Sequence, residues 1–227
     1  FPTRRSSDLN THEVPINDVE ALEAMIKKYE NEGGVAAFIM EAVGQDSGAV
    51  PTTKEYHKAT RELCDKYGML LIYDEVVTGF RLGMGGAQSI FGTSPDLTVF
   101  GKIIGGGYAG SGGIGGRKEI MSMLTAGGDA SDNIKVKVGG TMTANPLTSL
   151  AGITVIKELE RLNVHGALDK ASDYFMRGIA DLSEKYDVPA IIYHHSSILH
   201  IDVSGVQHVP YCIDSKDPQF QSQLEDA

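Results

Sequence analysis

Two spacings of apolar residues organise this chain. Val19, Leu22, Ile26 and Tyr29 recur at the period of one helix face. Asn17 followed by Glu20 reads as the start of that helix, and Gly33-Gly34 ends it. The run 35–40 is continuously apolar and predicts a short buried strand. Pro51-Thr52 with Glu55 marks a second helix start, and Tyr56, Ala59, Leu63 and Tyr67 make its apolar stripe up to Gly68. A further apolar run, 69–73, and a third short segment, 97–100, predict strands that end at Asp74-Glu75 and Gly101-Lys102. Strands without alternation, separated by amphipathic helices, predict an α/β fold with a mostly parallel sheet covered on both faces. Ligands of such sheets sit beyond the carboxyl ends of the strands, where Asp74, Lys102 and the loop containing Asp46 fall.

The second half has a different rhythm. Asn145-Pro146 is an N-cap followed by a first-turn proline. Leu147, Leu150, Val155, Leu159 and Leu162 give the helix that follows an apolar face. A further helix is expected over 166–186, then strands over 191–193 and 198–203. Residues 1–12 carry neither period and are expected to be a non-native or disordered leader. The division that follows is 13–145 as part of one large domain, 146–162 as a connecting helix and 163–227 as an incomplete smaller α+β domain.

Composition narrows the function. At 227 residues the chain is long enough for one domain or one and a half. No apolar run is long enough for a membrane span, and the formal charge of −10 argues against a general nucleic-acid surface. Two cysteines make no disulfide framework, which fits a reducing compartment and an expected cytoplasmic location. Glycine is enriched, at 27 residues, and fourteen of these lie between Gly79 and Gly116, where the chemistry is expected.

Several chemical patterns compete. The run ending in Asp74-Glu75 could be a Walker B strand, but the only Gly-Lys is followed by Ile103, so an ATPase reading lacks its phosphate loop. Gly105-x-Gly107-x-x-Gly110 matches a dinucleotide fingerprint formally, without the helix that should follow. His194, His195 and His200 have no carboxylate or cysteine at ligand spacing, and no metal is expected there. Cys64 reads as a small core residue. Asp74 and Lys102, each ambiguous alone, together supply an acid for a ring nitrogen and an amine for a Schiff base.

The segments Asp74-Glu75-Val76-Val77-Thr78-Gly79-Phe80-Arg81, Ser94-Pro95-Asp96-Leu97, Gly101 through Gly107, Gly115-Gly116-Arg117 and Gly140-Thr141-x-x-Ala144-Asn145-Pro146 strongly resemble class-III pyridoxal-phosphate aminotransferases. The nearest branch is similar to the glutamate-1-semialdehyde aminomutases. The resemblance runs from about Val14 past Gly205 and covers only the middle and later part of such an enzyme. It implies a fold-type-I α/β large domain plus the start of the small domain, pyridoxal 5′-phosphate as cofactor, and small-molecule amino donors and acceptors as substrates. It implies that Lys102 carries the internal aldimine, that Asp74 pairs with the pyridinium nitrogen and that Val76 packs on the ring. Gly140 and Thr141 would donate to the cofactor phosphate of the neighbouring subunit in a homodimer. The chain departs from the pattern at Ala42, where proline is usual, at Asp46, where the mutase branch has Asn, and in a longer 125–139 loop. Asp46 and that loop weigh towards a general transaminase over the mutase, with a racemase on the same scaffold as a further alternative. The isolated chain is expected to be catalytically silent.

Overall fold

Alternating burial along Leu70–Glu75 sets the layout of the molecule. Leu71, Tyr73 and Glu75 are buried, while Leu70, Ile72 and Asp74 on the other face are half-buried. The computed structural model describes residues 10–44, 49–108, 110–124, 136 and 142–203. Its main sheet has four strands. They are β1 (Ala37–Met40), β4 (Leu70–Glu75), β5 (Leu97–Phe100) and β6 (Gly113–Gly116), side by side in that order. β1, β4 and β5 run parallel, with Met40 level with Tyr73 and Asp74 level with Val99. β6 returns antiparallel on β5, with Ile114 level with Val99. Glycine allows this close return: a Cβ at Gly116 would sit 2.5 Å from the Asp96 carbonyl oxygen.

One face of the sheet is covered by α1 (Val19–Tyr29), α2 (Lys54–Tyr67) and α3 (Gly86–Phe91). Leu22 and Ile26 of α1, Tyr56, Leu63 and Cys64 of α2, and Ala87 of α3 pack with Met40, Leu71 and Tyr73 in one core cluster. Burial raises the Cys64 thiol to about 11, as befits a core residue. The opposite face is covered less among the described residues, and Ile39 and Ile114 on it are about half exposed. Thr148, Gly152, Ile153 and Ile156 of the later helix 146–161 line one cavity with Val99, Phe100 and Ile114 on that side, so the mostly parallel sheet with helices expected from the sequence is what the structure has.

Helix starts differ from the sequence expectation by one or two residues. Asp18, not Asn17, caps α1 by accepting from the Ala21 amide at 2.8 Å. Asn17 is engaged across the fold instead, donating to the Pro51 carbonyl at 3.2 Å and accepting from the Thr53 amide at 2.8 Å. Thr53 caps α2 through the Tyr56 amide. The Asn145 side chain caps α5 (Pro146–Arg161), as its sequence predicts.

Between β1 and α2 the chain forms a short hairpin, β2 (Val43–Gly44) against β3 (Val50–Pro51). After a short helix α4 (Lys118–Met121) and α5, α6 (Val164–Tyr186) leads into a second hairpin of β7 (Ile191–His195) and β8 (Ile198–Asp202). Ile198 packs with Val43 and Ala49, and Val77, Leu82 and Tyr193 lie around them. Among the described residues no helix is long and apolar enough to cross a membrane.

Candidate functional site

β4 and β5 end side by side, so their carboxyl ends present neighbouring residues at one edge. Asp74 lies on the half-buried face of β4. Its Oδ1 accepts from the Val76 amide at 3.0 Å, a local turn that fixes the carboxylate where the strand stops. Val76 lies against the end of β5: a Cβ built at Gly101 would come within 3.0 Å of Val76 Cγ1. Lys102 follows with φ of 49° and starts a 3-10 turn, Lys102–Gly105. Its side chain is exposed.

The neighbouring acid, Glu75, is a different kind of group. It points into the core and is 1% exposed. Its Oε2 accepts from the Ala87 amide at 2.9 Å and the Thr78 hydroxyl at 3.3 Å, and its Oε1 has no partner among the described residues. Burial pushes its carboxyl up, by more than those donors pull it down. Asp96 is the other buried acid among the described residues. Its carboxylate takes the Leu71 amide at 2.7 Å, Arg61 at 2.8 Å and Arg117 at 2.9 Å. Burial opposes ionisation there, yet the amide and the two guanidinium groups hold the carboxyl below its ordinary range. Asp96 ties β5, β4, α2 and the end of β6 together and is structural.

The turn that begins at Lys102 rests on α5. A Cβ at Gly106 would lie 2.5 Å from the Ala151 carbonyl carbon, and Gly106 itself has φ of 59°. The helix is thus backed directly onto the lysine's turn, backbone to backbone.

Of the site residues expected from sequence, the structure brings Asp74, Val76 and Lys102 to one edge. Asp46, Gly140 and Thr141 lie outside the described residues, as does the 125–139 loop apart from Val136. His57 is a buried polar residue that the sequence did not single out. It falls beside Tyr56 in the apolar stripe of α2, and only the tertiary structure shows what it meets.

The set fits a pyridoxal-type cofactor in its chemistry. An acid suited to a ring nitrogen, an apolar side chain suited to a ring face and an amine suited to covalent attachment stand on neighbouring strand ends. The chain passes Val76 at Gly101, where a side chain would crowd the approach.

Comparison with known proteins gives the family of the chain. The class-III aminotransferase family model matches residues 4–214. A relative named glutamate-1-semialdehyde 2,1-aminomutase, from Chloroherpeton thalassium, is 46% identical over 169 residues, covering 74% of this chain and 37% of its own length. An omega-transaminase structure from Sphaerobacter thermophilus superposes with a TM-score of 0.77 at 28% identity, covering 94% of this chain and 48% of its own. A structure described as a transaminase with PLP bound superposes with a TM-score of 0.72 at 25% identity, covering 83% and 42%. The chain therefore spans less than half the length of the proteins it matches. Within that span the sheet, the strand-end acid and the strand-end lysine have one common explanation: the chain belongs to the class-III aminotransferase family of pyridoxal-phosphate-dependent enzymes.

Proposed function

We propose that the protein containing this chain transfers amino groups with pyridoxal phosphate, and that Asp74, Val76 and Lys102 form the edge that holds the cofactor. The observation that carries this is the placement of Asp74 and Lys102 on adjacent parallel strand ends, with Val76 packed against Gly101 between them. The cofactor, when bound, supplies an electron sink for the bonds at the substrate carbon that bears the amine. The chain's own residues do the rest. Asp74 keeps a proton on the ring nitrogen. Val76 excludes water from one ring face. Lys102 Nζ would be the point of covalent attachment and, once displaced, the base that moves a proton between the substrate Cα and the cofactor's C4′.

In the same proposal Gly140 and Thr141 donate to the cofactor phosphate of a partner subunit in a homodimer, and Asp46 takes part in substrate selection. Residues 13–145 belong to the large domain, 146–162 connect, and 163–227 begin the small one. Borohydride treatment of the full protein with its cofactor, followed by peptide mapping, tests the assignment. A pyridoxyl group on Lys102 is expected; the same group on another lysine, such as Lys118, refutes it.

A second reading, the 2,1-aminomutase, is favoured by the names of the curated relatives, including one from Sulfurihydrogenibium at 39% identity over 188 residues. The two readings separate in one assay. A mutase forms 5-aminolevulinate from glutamate 1-semialdehyde without any keto-acid acceptor. A general transaminase needs pyruvate, 2-oxoglutarate or a similar acceptor and releases a keto acid.

A further inference from the structure

His57 sits inside the core, 0% exposed, with both ring nitrogens engaged. Nε2 lies 2.6 Å from Thr52 Oγ1, and Nδ1 lies 2.5 Å from the Tyr73 hydroxyl. The direction of each bond follows from the next one. Thr52 Oγ1 spends its proton on the Ala42 carbonyl at 2.9 Å, so toward the ring it accepts. Nε2 therefore carries the ring proton and donates to Thr52, and Tyr73 donates to the bare Nδ1. Phe91 stacks on the ring at 3.9 Å and closes it from solvent. Burial pushes the imidazole down to about 4, which keeps it neutral and preserves this order of donors at neutral pH.

The two ends of this chain of bonds lie in different elements. Tyr73 precedes Asp74 in β4. Thr52 follows β3, and the Ala42 carbonyl it holds, by its amide as well as its hydroxyl, precedes β2. The ring thus bridges the base of the β2–β3 hairpin to the strand that ends in Asp74. A separate contact points the same way: Val43 and Ala49 of the hairpin region pack on Val77, three residues past Asp74. Burying three polar side chains in sequence is unfavourable unless each is satisfied, and what it confers is one arrangement rather than several.

We propose that His57 is a positioning residue for the amino-transfer site: through Thr52 and Tyr73 it locks the β2–β3 hairpin against the carboxyl end of β4 and so fixes the wall that the substrate meets beside Asp74. This rests on the functional reading above, in which that edge binds cofactor and substrate.

The test uses the full protein with its cofactor and three variants. His57→Leu keeps the packing and removes both bonds. His57→Gln keeps a donor and an acceptor on one planar group. Tyr73→Phe removes the hydroxyl, with its bonds to His57 and Thr93, and serves if the leucine variant does not fold. Hydrogen exchange at the amides of residues 43, 44, 50 and 52 is expected to quicken by about tenfold in His57→Leu, the equivalent of one buried hydrogen bond, and to a smaller extent in Tyr73→Phe. KM for the amino substrate should rise by about fivefold with kcat nearly unchanged, since the wall moves and Asp74 and Lys102 remain. His57→Gln should restore both. Unchanged exchange in His57→Leu and Tyr73→Phe overturns the proposal, as does a fall in kcat without a change in KM. Because exchange needs no turnover, faster exchange in a protein that transfers no amine would uphold the lock between hairpin and strand while sinking the functional reading.

Discussion

Gly152 of α5 approaches the Ile104 carbonyl so closely that a Cβ on it would lie 2.0 Å from that oxygen. Ile104 belongs to the 3-10 turn that begins at Lys102. The helix and the lysine's turn therefore meet with no side chain between them, and the only residue that permits this is glycine. Mid-helix glycine normally weakens a helix by about 0.5–1 kcal/mol relative to alanine, so Gly152→Ala should help α5 in isolation. In the protein it should push the Lys102 turn away. The expected result is lower cofactor content per protomer by absorbance, with helix content unchanged by circular dichroism. Full cofactor content in Gly152→Ala would refute the role of this contact.

Asp74→Asn separates an electronic role from a structural one. The amide oxygen of asparagine can still accept from the Val76 amide, so the turn at the end of β4 should survive. What goes is the negative charge that keeps the ring nitrogen protonated. Turnover should fall at least about a hundredfold, the scale expected when a preorganised charge is lost. Near-normal turnover in a folded variant would show that Asp74 is only a strand terminator.

Acid sensitivity should trace partly to His57. Its ordinary value of 6.5 is depressed to about 4 in the fold, so between these values the unfolded chain binds the proton and the folded one resists it. Stability should be complete above about pH 6.5 and decline as pH falls to about 4, by at most about 3 kcal/mol. His195, also pushed down by burial and by His194, adds to the loss with the same sign. Urea midpoints at pH 7 and pH 4.5 measure it. The drop should be visibly smaller in His57→Gln; an equal drop in both proteins would assign the sensitivity elsewhere.

The Asp96 cluster should dominate local stability around β5. Asp96 is 2% exposed, and its removal leaves the Leu71 amide without its acceptor and Arg61 with only the exposed Asp65. Asp96→Ala should destabilise by about 3 kcal/mol or more, as when one partner of a buried pair is lost. Arg117 is mostly exposed, so Arg117→Ala should cost far less, because solvent screens its pair with Asp96. Similar losses in the two variants would mean that the exposed pair carries the cluster.

Much of the fold is legible in the sequence where burial is local and repetitive. The runs that became β1 and β4 are apolar up to their ends, β5 is apolar but for Thr98, and Asn145-Pro146 announces α5 because a cap and a first-turn proline act on their own helix. Asp74 and Lys102 are legible because each stands at or just past the end of such a segment. β6 is not, since Gly113, Gly115 and Gly116 offer no side chains from which a period could be read; it is a strand because β5 accepts it at close range. The cap of α1 was misplaced by one residue because Asn17 serves Pro51 and Thr53, more than thirty positions away. His57 is invisible for the same reason: its partners belong to β4 and to the chain just after β3, and only the folded sheet brings them to α2.

Asp74 and Glu75 are neighbours that strand geometry sends to opposite sides, one toward the open edge and one into the core beneath Gly86. The partition depends on counting rather than on chemistry, because the two side chains differ by one methylene. Point substitutions at β4 can be graded by size and polarity, but a one-residue insertion or deletion within Leu70–Glu75 cannot. It would drive the shorter acid into the space shaped around the longer one and turn the longer acid outward. Length, more than composition, is what this strand cannot vary.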